Sequence, residues 1–298
     1  MSATPAPSDP PLLLAVPNVS EGRDAGAIGA IGAAYAAGGA RVLDTHDDVD
    51  HHRAVHTLAA PQGVLAGALV AGAREAIARI DLRRERGIHP HVGAIDVVPV
   101  VYWDDARRGA ACAEALTVAE RIGVELGVPV FLYGLLAGGR TRAALRRGGI
   151  AALSERVRAG ELVPDFGPAA PHQSAGAVLV AARAPLVAFN VTLAPPATVD
   201  DARRIAALIR EGGAEGLPGV RALGLELTAQ GGAAQVSTNV EDHRAVTLAQ
   251  VVASVRAHAP VAAAELVGLA PAAAFAGFPE DVPVSGRRTV EEALRQGL

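Results

Sequence analysis

Six of the nine histidines fall in the first third of the chain, at His46, His51, His52, His56, His89 and His91. Histidine titrates near neutrality, so a cluster of this kind suits proton transfer or metal ligation. The sharpest segment is Gly87-Ile88-His89-Pro90-His91-Val92-Gly93-Ala94-Ile95-Asp96. Pro90 biases His89 toward extended backbone, and Gly93 permits close approach of a ligand to the chain. A histidine held at the lip of a strand is well placed as a proton shuttle; the plainer alternative is a turn before a strand. Around it stand Asn18 and Glu21 in the loop 17–23, an acidic run of Asp44, Asp47, Asp48 and Asp50 around His46, Arg53, and Tyr133 at a strand end. Each has a structural alternative. Glu21 can tie down its own loop, Arg53 can pair with neighbouring aspartates, Tyr133 can pack, and Asn18 and Asn239 can bond turn backbone.

A second chemistry is open to the histidines. Residues two apart on a strand share a face, so His89 with His91 could present two nitrogens, as could His52 with His56. Zinc accepts three such ligands plus water. That supports an alternative reading as a metal-dependent amide or amidine hydrolase built on His46, His52, His56, His89 and His91. No HExxH motif or cysteine pair accompanies them, Cys112 being the sole cysteine.

Composition narrows the partners. The 27 basic residues are all arginine, the net charge is −4, and aromatics are 3%. Neither a broad basic face nor an aromatic stacking platform is available, so nucleic acid is not an expected partner. Arginine binds carboxylates bidentately, which keeps small acidic substrates open. The first ten residues lack the basic start of a signal peptide, and no apolar stretch reaches the length of a membrane span. A cytoplasmic protein without membrane partners is expected. With 50% hydrophobic and 19% charged residues, 298 residues make one large or two ordinary domains.

The elements that position these residues follow from periodicity and punctuation. A proline-rich leader over 1–11 precedes a strand at 12–16. Asp24 caps a helix to about 37, stopped by Gly38-Gly39. Strands are expected at 41–44 and 53–58, separated by an acidic, histidine-rich loop. Pro61 opens a helix to about 79. Then come a strand at 95–102, with Asp96 in an otherwise apolar run, a helix from the Asp104 cap to about 126, and a strand at 128–132. Residues 134–160 read as helix with glycine breaks, and 161–176 as a Pro/Gly-rich loop and junction. The order repeats as a strand at 186–192, a helix at 198–210 with a Thr198/Asp201 capping box, strands at 220–228 and 234–239, a helix at 248–258 and a strand at 261–267. The expected fold is α/β (α+β), two ferredoxin-like βαββαβ subdomains over 12–185 and 186–298, with helices packed on mixed sheets.

Several segments together resemble the glutamate formimidoyltransferase (formiminotransferase) family. They are Val16–Arg23, Leu43-Asp44 through Arg53, His89-Pro90 with Gly93–Val97, and Tyr133-Gly134. Pro164–Pro168, Ala188-Phe189-Asn190, Gln235–Asn239 and Glu265–Leu269 continue the series. The resemblance implies transfer of a formimidoyl group between N-formimidoyl-L-glutamate and tetrahydrofolate, in histidine degradation and one-carbon metabolism, by a homodimer. Tetrahydrofolate is then the co-substrate, with no metal, and a non-catalytic folate-binding homologue is a further alternative. By position His89 matches the family's catalytic histidine, with Asp44 and His46 at the catalytic site and Asn18, Glu21, Arg53, His91 and Tyr133 toward substrate. The folate-binding loop falls on Gly167, Pro168, Ala169, Ala170, Pro171, His172, Gln173, Ser174, Ala175 and Gly176. Four positions depart from the family pattern: His46 where it has Asp, His91 where it has Arg, Leu135 where it has Glu, and Ala175 where an aromatic is familiar. The charge to steady in formimidoyl transfer is an amidinium, which calls for a carboxylate; Asp44, Asp47, Asp48 and Asp50 are all open to that role.

Overall fold

The structure is a computed structural model that describes residues 10–84, 91–227 and 231–296. Most of the proline-rich leader, the segment carrying His89 and Pro90, and Thr228 lie outside the described residues. The first half runs β1 (Leu12–Ala15), β2 (Asn18–Val19), α1 (Ala25–Ala37), β3 (Arg41–Asp48), β4 (Arg53–Pro61), α2 (Leu65–Arg79), β5 (Ile95–Val101), α3 (Arg108–Glu125), β6 (Val130–Leu132), α4 (Arg142–Arg146), α5 (Gly149–Arg158) and β7 (Val178–Arg183). The second half runs β8 (Val187–Leu193), α6 (Val199–Ile209), β9 (Val220–Leu227), β10 (Ala233–Val240), α7 (Leu248–Arg256), β11 (Val261–Val267), β12 (Val284–Ser285) and α8 (Val290–Arg295).

Both halves contain the ferredoxin-like order. In the first, β3, β4, β1 and β5 lie side by side and antiparallel, and β7 and β6 extend the sheet in parallel beyond β5. In the second, β9, β10, β8 and β11 repeat the antiparallel arrangement and β12 adds in parallel. The caps expected from sequence are present: Asp24 accepts from the Ala27 amide, and Thr198 with Asp201 closes a capping box.

Several boundaries differ from the sequence reading. β3 continues to Asp48, so residues 45–48 of the acidic, histidine-rich segment are strand and 49–52 form the turn; the register with β4 runs to Asp48 opposite Arg53. Pro61 ends β4 opposite Leu12, where a missing N–H costs little, and α2 starts only at Leu65. Asp104 caps a short 3-10 turn leading into α3. The loop 161–176 is no junction, because the chain returns from it into the first sheet as β7, whose continuous apolar run marks a parallel strand buried on both faces.

With few aromatics, the cores are built from Ala, Val, Leu and Ile. Leu13, Leu58, Val98 and Val100 of the first sheet pack beneath Ile31, Leu69 and Val118 of α1, α2 and α3. The opposite face is divided. At one end Phe131, Leu179 and Ala181 pack against Leu145 and Leu153 of α4 and α5. At the other, Leu43, Ala59 and Val101 pack against Val290 and Ala293 of α8, which arrives from the second half. The strip between these two apolar contacts is polar.

Candidate functional site

The polar strip centres on Asp96, which is fully buried at the start of β5. One carboxylate oxygen accepts from Arg53 Nη1 at 2.9 Å and from Arg146 Nη2; the other accepts from the Val92 amide at 2.9 Å. Arg53 leaves β4 on the face away from α1 and α2, and its Nε donates to Asn18 Oδ1 at 2.8 Å. Asn18 Nδ2 in turn donates to the Val16 carbonyl. Burial, then the Arg146 charge, draw the Arg53 pKa down to about 9 against the pull of Asp96. Burial likewise lowers that of Arg146, and takes that of Arg183, at the end of β7, to about 10. Arg53 and Arg183 therefore stay protonated at neutral pH. Among the described residues, the buried Nε atoms of Arg146 and Arg183 have no hydrogen-bond partner.

Two residue pairs along the ladder from Arg53, His46 of β3 lies opposite Val55 of β4, on the same face as Arg53. Its Nε2 stands 3.8 Å from Glu265 Oε1 of β11 in the second sheet, and Asn190 of β8 donates to Glu265 Oε2 at 3.0 Å. Asp44, opposite Thr57 on this face, meets Arg288 at 3.4 Å, and Arg288 also donates to the Leu43 carbonyl. Burial raises the Asp44 pKa, with Arg288 and His46 opposing it. The two halves therefore meet across a strip carrying both charge signs.

The other residues singled out in the sequence take varied places. Glu21 Oε1 accepts from the Arg23 and Asp24 amides, so its carboxylate organises its own loop. His52 Nδ1 accepts from the Gly22 amide. Tyr133 is buried among Phe131, Leu145 and Leu179. His56 points to the opposite face from His46, against Tyr35 of α1 and hydrogen-bonded to Thr45. The hairpin thus separates the histidines, and no group of three or more metal-ligating side chains occurs among the described residues. Asp48 accepts from the Asp50 and His51 amides and meets the His51 ring; those hydrogen bonds outweigh burial and hold its pKa low.

The loop 167–176 divides in two. Pro168, Ala169, Ala170 and Gln173 are exposed. The rest is stapled: His172 and Gly176 exchange backbone hydrogen bonds, and His172 Nδ1 accepts from the Ser174 and Ala175 amides. The His172 ring is therefore turned onto its own loop, and the Ala175 methyl is packed in the core. The turn grips the chain on both sides of the His89 segment. The Leu82 amide donates to the Ser174 carbonyl and the Ala94 amide to the Ala175 carbonyl. Gly93 bridges Gly176, and His91 follows directly on that segment, beside Gly149 at the start of α5.

Sequence reasoning missed Arg146, Glu265 and Asn190 as site residues. The signal that marked Asp96, a polar side chain inside an apolar strand, is equally present at Glu265 in Val261–Val267 and Asn190 in Val187–Leu193.

The Formiminotransferase domain, N-terminal subdomain, matches residues 12–183, and the Formiminotransferase domain matches residues 188–278. The chain is 40% identical over 280 residues to the formimidoyltransferase-cyclodeaminase of Sus scrofa, covering 87% of this chain and 50% of that protein. It is 34% identical to the glutamate formimidoyltransferases of Streptococcus pyogenes serotype M1 and Thermoplasma acidophilum, covering 87% of this chain and 89% and 88% of theirs. The chain thus spans about half the length of the cyclodeaminase-bearing relatives and most of the length of the others. Because these matches run through both sheets and every strand that borders the polar strip, the protein belongs to the formiminotransferase family.

Proposed function

We propose that this protein transfers a formimidoyl group between N-formimidoyl-L-glutamate and tetrahydrofolate. The observation that carries the reading is similarity along nearly the whole chain to proteins named glutamate formimidoyltransferase. The reaction forms a bond from folate N5 to the amidine carbon and breaks the bond from that carbon to the glutamate nitrogen. The proton lost from N5 ends on the departing amine. His89 is assigned to that proton transfer, since one imidazole near neutrality can act as base and then as acid. In support, Leu82 and Ala94, described residues on either side of its segment, both donate backbone hydrogen bonds to the turn stapled by His172. The buried guanidinium groups of Arg146 and Arg183 retain unpartnered Nε atoms among the described residues, and guanidinium suits the carboxylates of folate and glutamate. The reading includes a cytoplasmic homodimer that needs no metal, nucleic acid or membrane.

The test is a transfer assay with tetrahydrofolate against formimidoylglutamate and a panel of other formimidoyl amino acids. Formation of 5-formimidoyltetrahydrofolate from formimidoylglutamate is expected. His89→Ala should abolish turnover while leaving folate affinity largely intact. Absence of transfer from every donor would overturn the reading; unchanged turnover in His89→Ala would remove His89 from it.

A further inference from the structure

A formimidoyl group travels as an amidinium, which calls for a carboxylate as its counter-ion. Four β3-side carboxylates were open to that role. Asp44 is engaged by Arg288. Asp48 is used by the turn that follows β3. Asp47, opposite Ala54, alternates onto the other face from His46. Asp50 lies in the 49–52 turn itself. Asp96, the buried carboxylate nearby, is shared by two guanidiniums.

The second sheet supplies a different candidate. Val187, Phe189, Val191 and Leu193 of β8 and Ala264 and Leu266 of β11 turn inward under α6 and α7. Alternation therefore places Asn190 and Glu265 on the opposite face, toward the first half. They are register partners, and Ser237 of β10 pairs with Asn190 on its other side. Asn190 is buried and holds Glu265 Oε2 at 3.0 Å. The remaining oxygen, Oε1, has His46 Nε2 at 3.8 Å, beyond hydrogen-bonding distance. The Glu265 side chain keeps 24% exposure, open enough to receive a small cation and closed enough to strengthen the pairing. Just after β11, Gly268 approaches Val55 and Thr57 on the same face of β4 as Arg53, which fixes this end of β11 over the polar strip.

We propose that Glu265, aimed by Asn190 across the junction of the two halves, is the carboxylate that pairs with the amidinium of the formimidoyl group. The proposal rests on formimidoyl transfer being the reaction. A carboxylate binds a planar amidinium through two parallel N–H···O bonds, as it binds guanidinium. Glu265 takes no proton in the step. When N5 attacks, the C=N π pair moves onto the amidine nitrogen; when the bond to the glutamate nitrogen breaks, its electron pair leaves with that nitrogen and C=N re-forms. Glu265 steadies the cation before and after and keeps the carbon fixed between the two nitrogens. Asn190 is a positioning residue that acts by orienting Glu265.

The test uses the full chain, tetrahydrofolate, formimidoylglutamate and acetamidinium as a non-reacting amidinium probe. Glu265→Gln, nearly isosteric, should lower kcat/KM for formimidoylglutamate by about 100-fold, the scale of losing a hydrogen-bonded charge pair. Its inhibition constant for acetamidinium should rise about tenfold, with folate affinity unchanged. Glu265→Asp, which keeps the charge on a shorter stem, should lie between wild type and Gln in both readouts, and it serves alone if the Gln variant is insoluble. Wild-type acetamidinium inhibition that survives unchanged in these variants would overturn the assignment even if kcat/KM fell, since a merely structural role predicts that pattern. Wild-type enzyme that transfers nothing sinks the functional reading instead, so the two failures are distinguishable.

Discussion

Asp96 shows how one residue sets the chemistry of a site without exposure to solvent. Burying a carboxylate and two guanidiniums costs several kcal/mol per ion unless each is paired. Here Asp96 collects Arg53, Arg146 and the Val92 amide, and Asn18 takes a further donor of Arg53. His56 is the opposite case, a neutral buried imidazole. Burial lowers its pKa from 6.5 to about 4, so the unfolded chain binds the proton that the folded chain refuses. Its contribution to stability is full above the unfolded value and declines as pH falls from about 6.5 toward 4. By linkage that decline amounts to roughly 3 kcal/mol. In His56→Phe, which keeps an aromatic edge against Tyr35, the acid limb of a Tm-against-pH curve should flatten across that window. A wild-type and variant pair with parallel acid limbs would refute the assignment. Asp96, Arg53 and Asn18 were visible in the sequence; their union was not, because Arg146 comes from a helix 50 residues further on.

At the scale of elements, the turn 172–176 is a small device built on a histidine acceptor and one glycine, Gly176, which bridges Gly93 on the facing chain. Gly176 has φ +70°, and a Cβ there would sit 2.2 Å from the Val92 carbonyl oxygen. Gly176→Ala should therefore lift the turn off the strand leading into β5, at a cost of about 1–3 kcal/mol for the strained backbone. If the loop holds folate, the KM for tetrahydrofolate should rise, by about tenfold for a loss of 1.4 kcal/mol in binding. Steady-state kinetics with folate varied reads this directly, and an unchanged KM would separate the turn from folate. The Thr198/Asp201 capping box, the glycine stops and the ferredoxin-like orders were legible because they are local signals. β7 was overlooked although its apolar run is plain, since the preceding Pro/Gly loop resembled a boundary and only pairing with β5 and β6 reveals where the run belongs.

At the scale of the molecule, two sheets of the same antiparallel order face one another, and α8 joins them by crossing back. Val290 and Ala293 of α8 pack on Leu43 and Ala59 of the first sheet, Arg41 donates to the Ala293 and Leu294 carbonyls, and Arg288 reaches Asp44. This clamp holds Glu265 and His46 at one spacing. Val290→Asp would bury an unpaired charge in that contact, which costs several kcal/mol. The expected result is a lowered midpoint and a split of urea unfolding into separate transitions for the halves. One cooperative transition at the wild-type midpoint would mean that the halves are held together elsewhere.

From sequence alone came the element order, the paired βαββαβ pattern, the family resemblance, and the residue types able to move protons or bind carboxylates. Those depend on spacing and propensity, which are properties of neighbours along the chain. Only the tertiary structure decided that His46 and His56 leave the β3–β4 hairpin on opposite faces, that His172 turns onto its own loop, and that Asp96 gathers Arg53 and Arg146. It also decided that the free face of a distant strand brings Glu265 to His46. Contacts of that kind are set by which strands pair and how two layers pack, and the 218 residues between His46 and Glu265 carry no local trace of them.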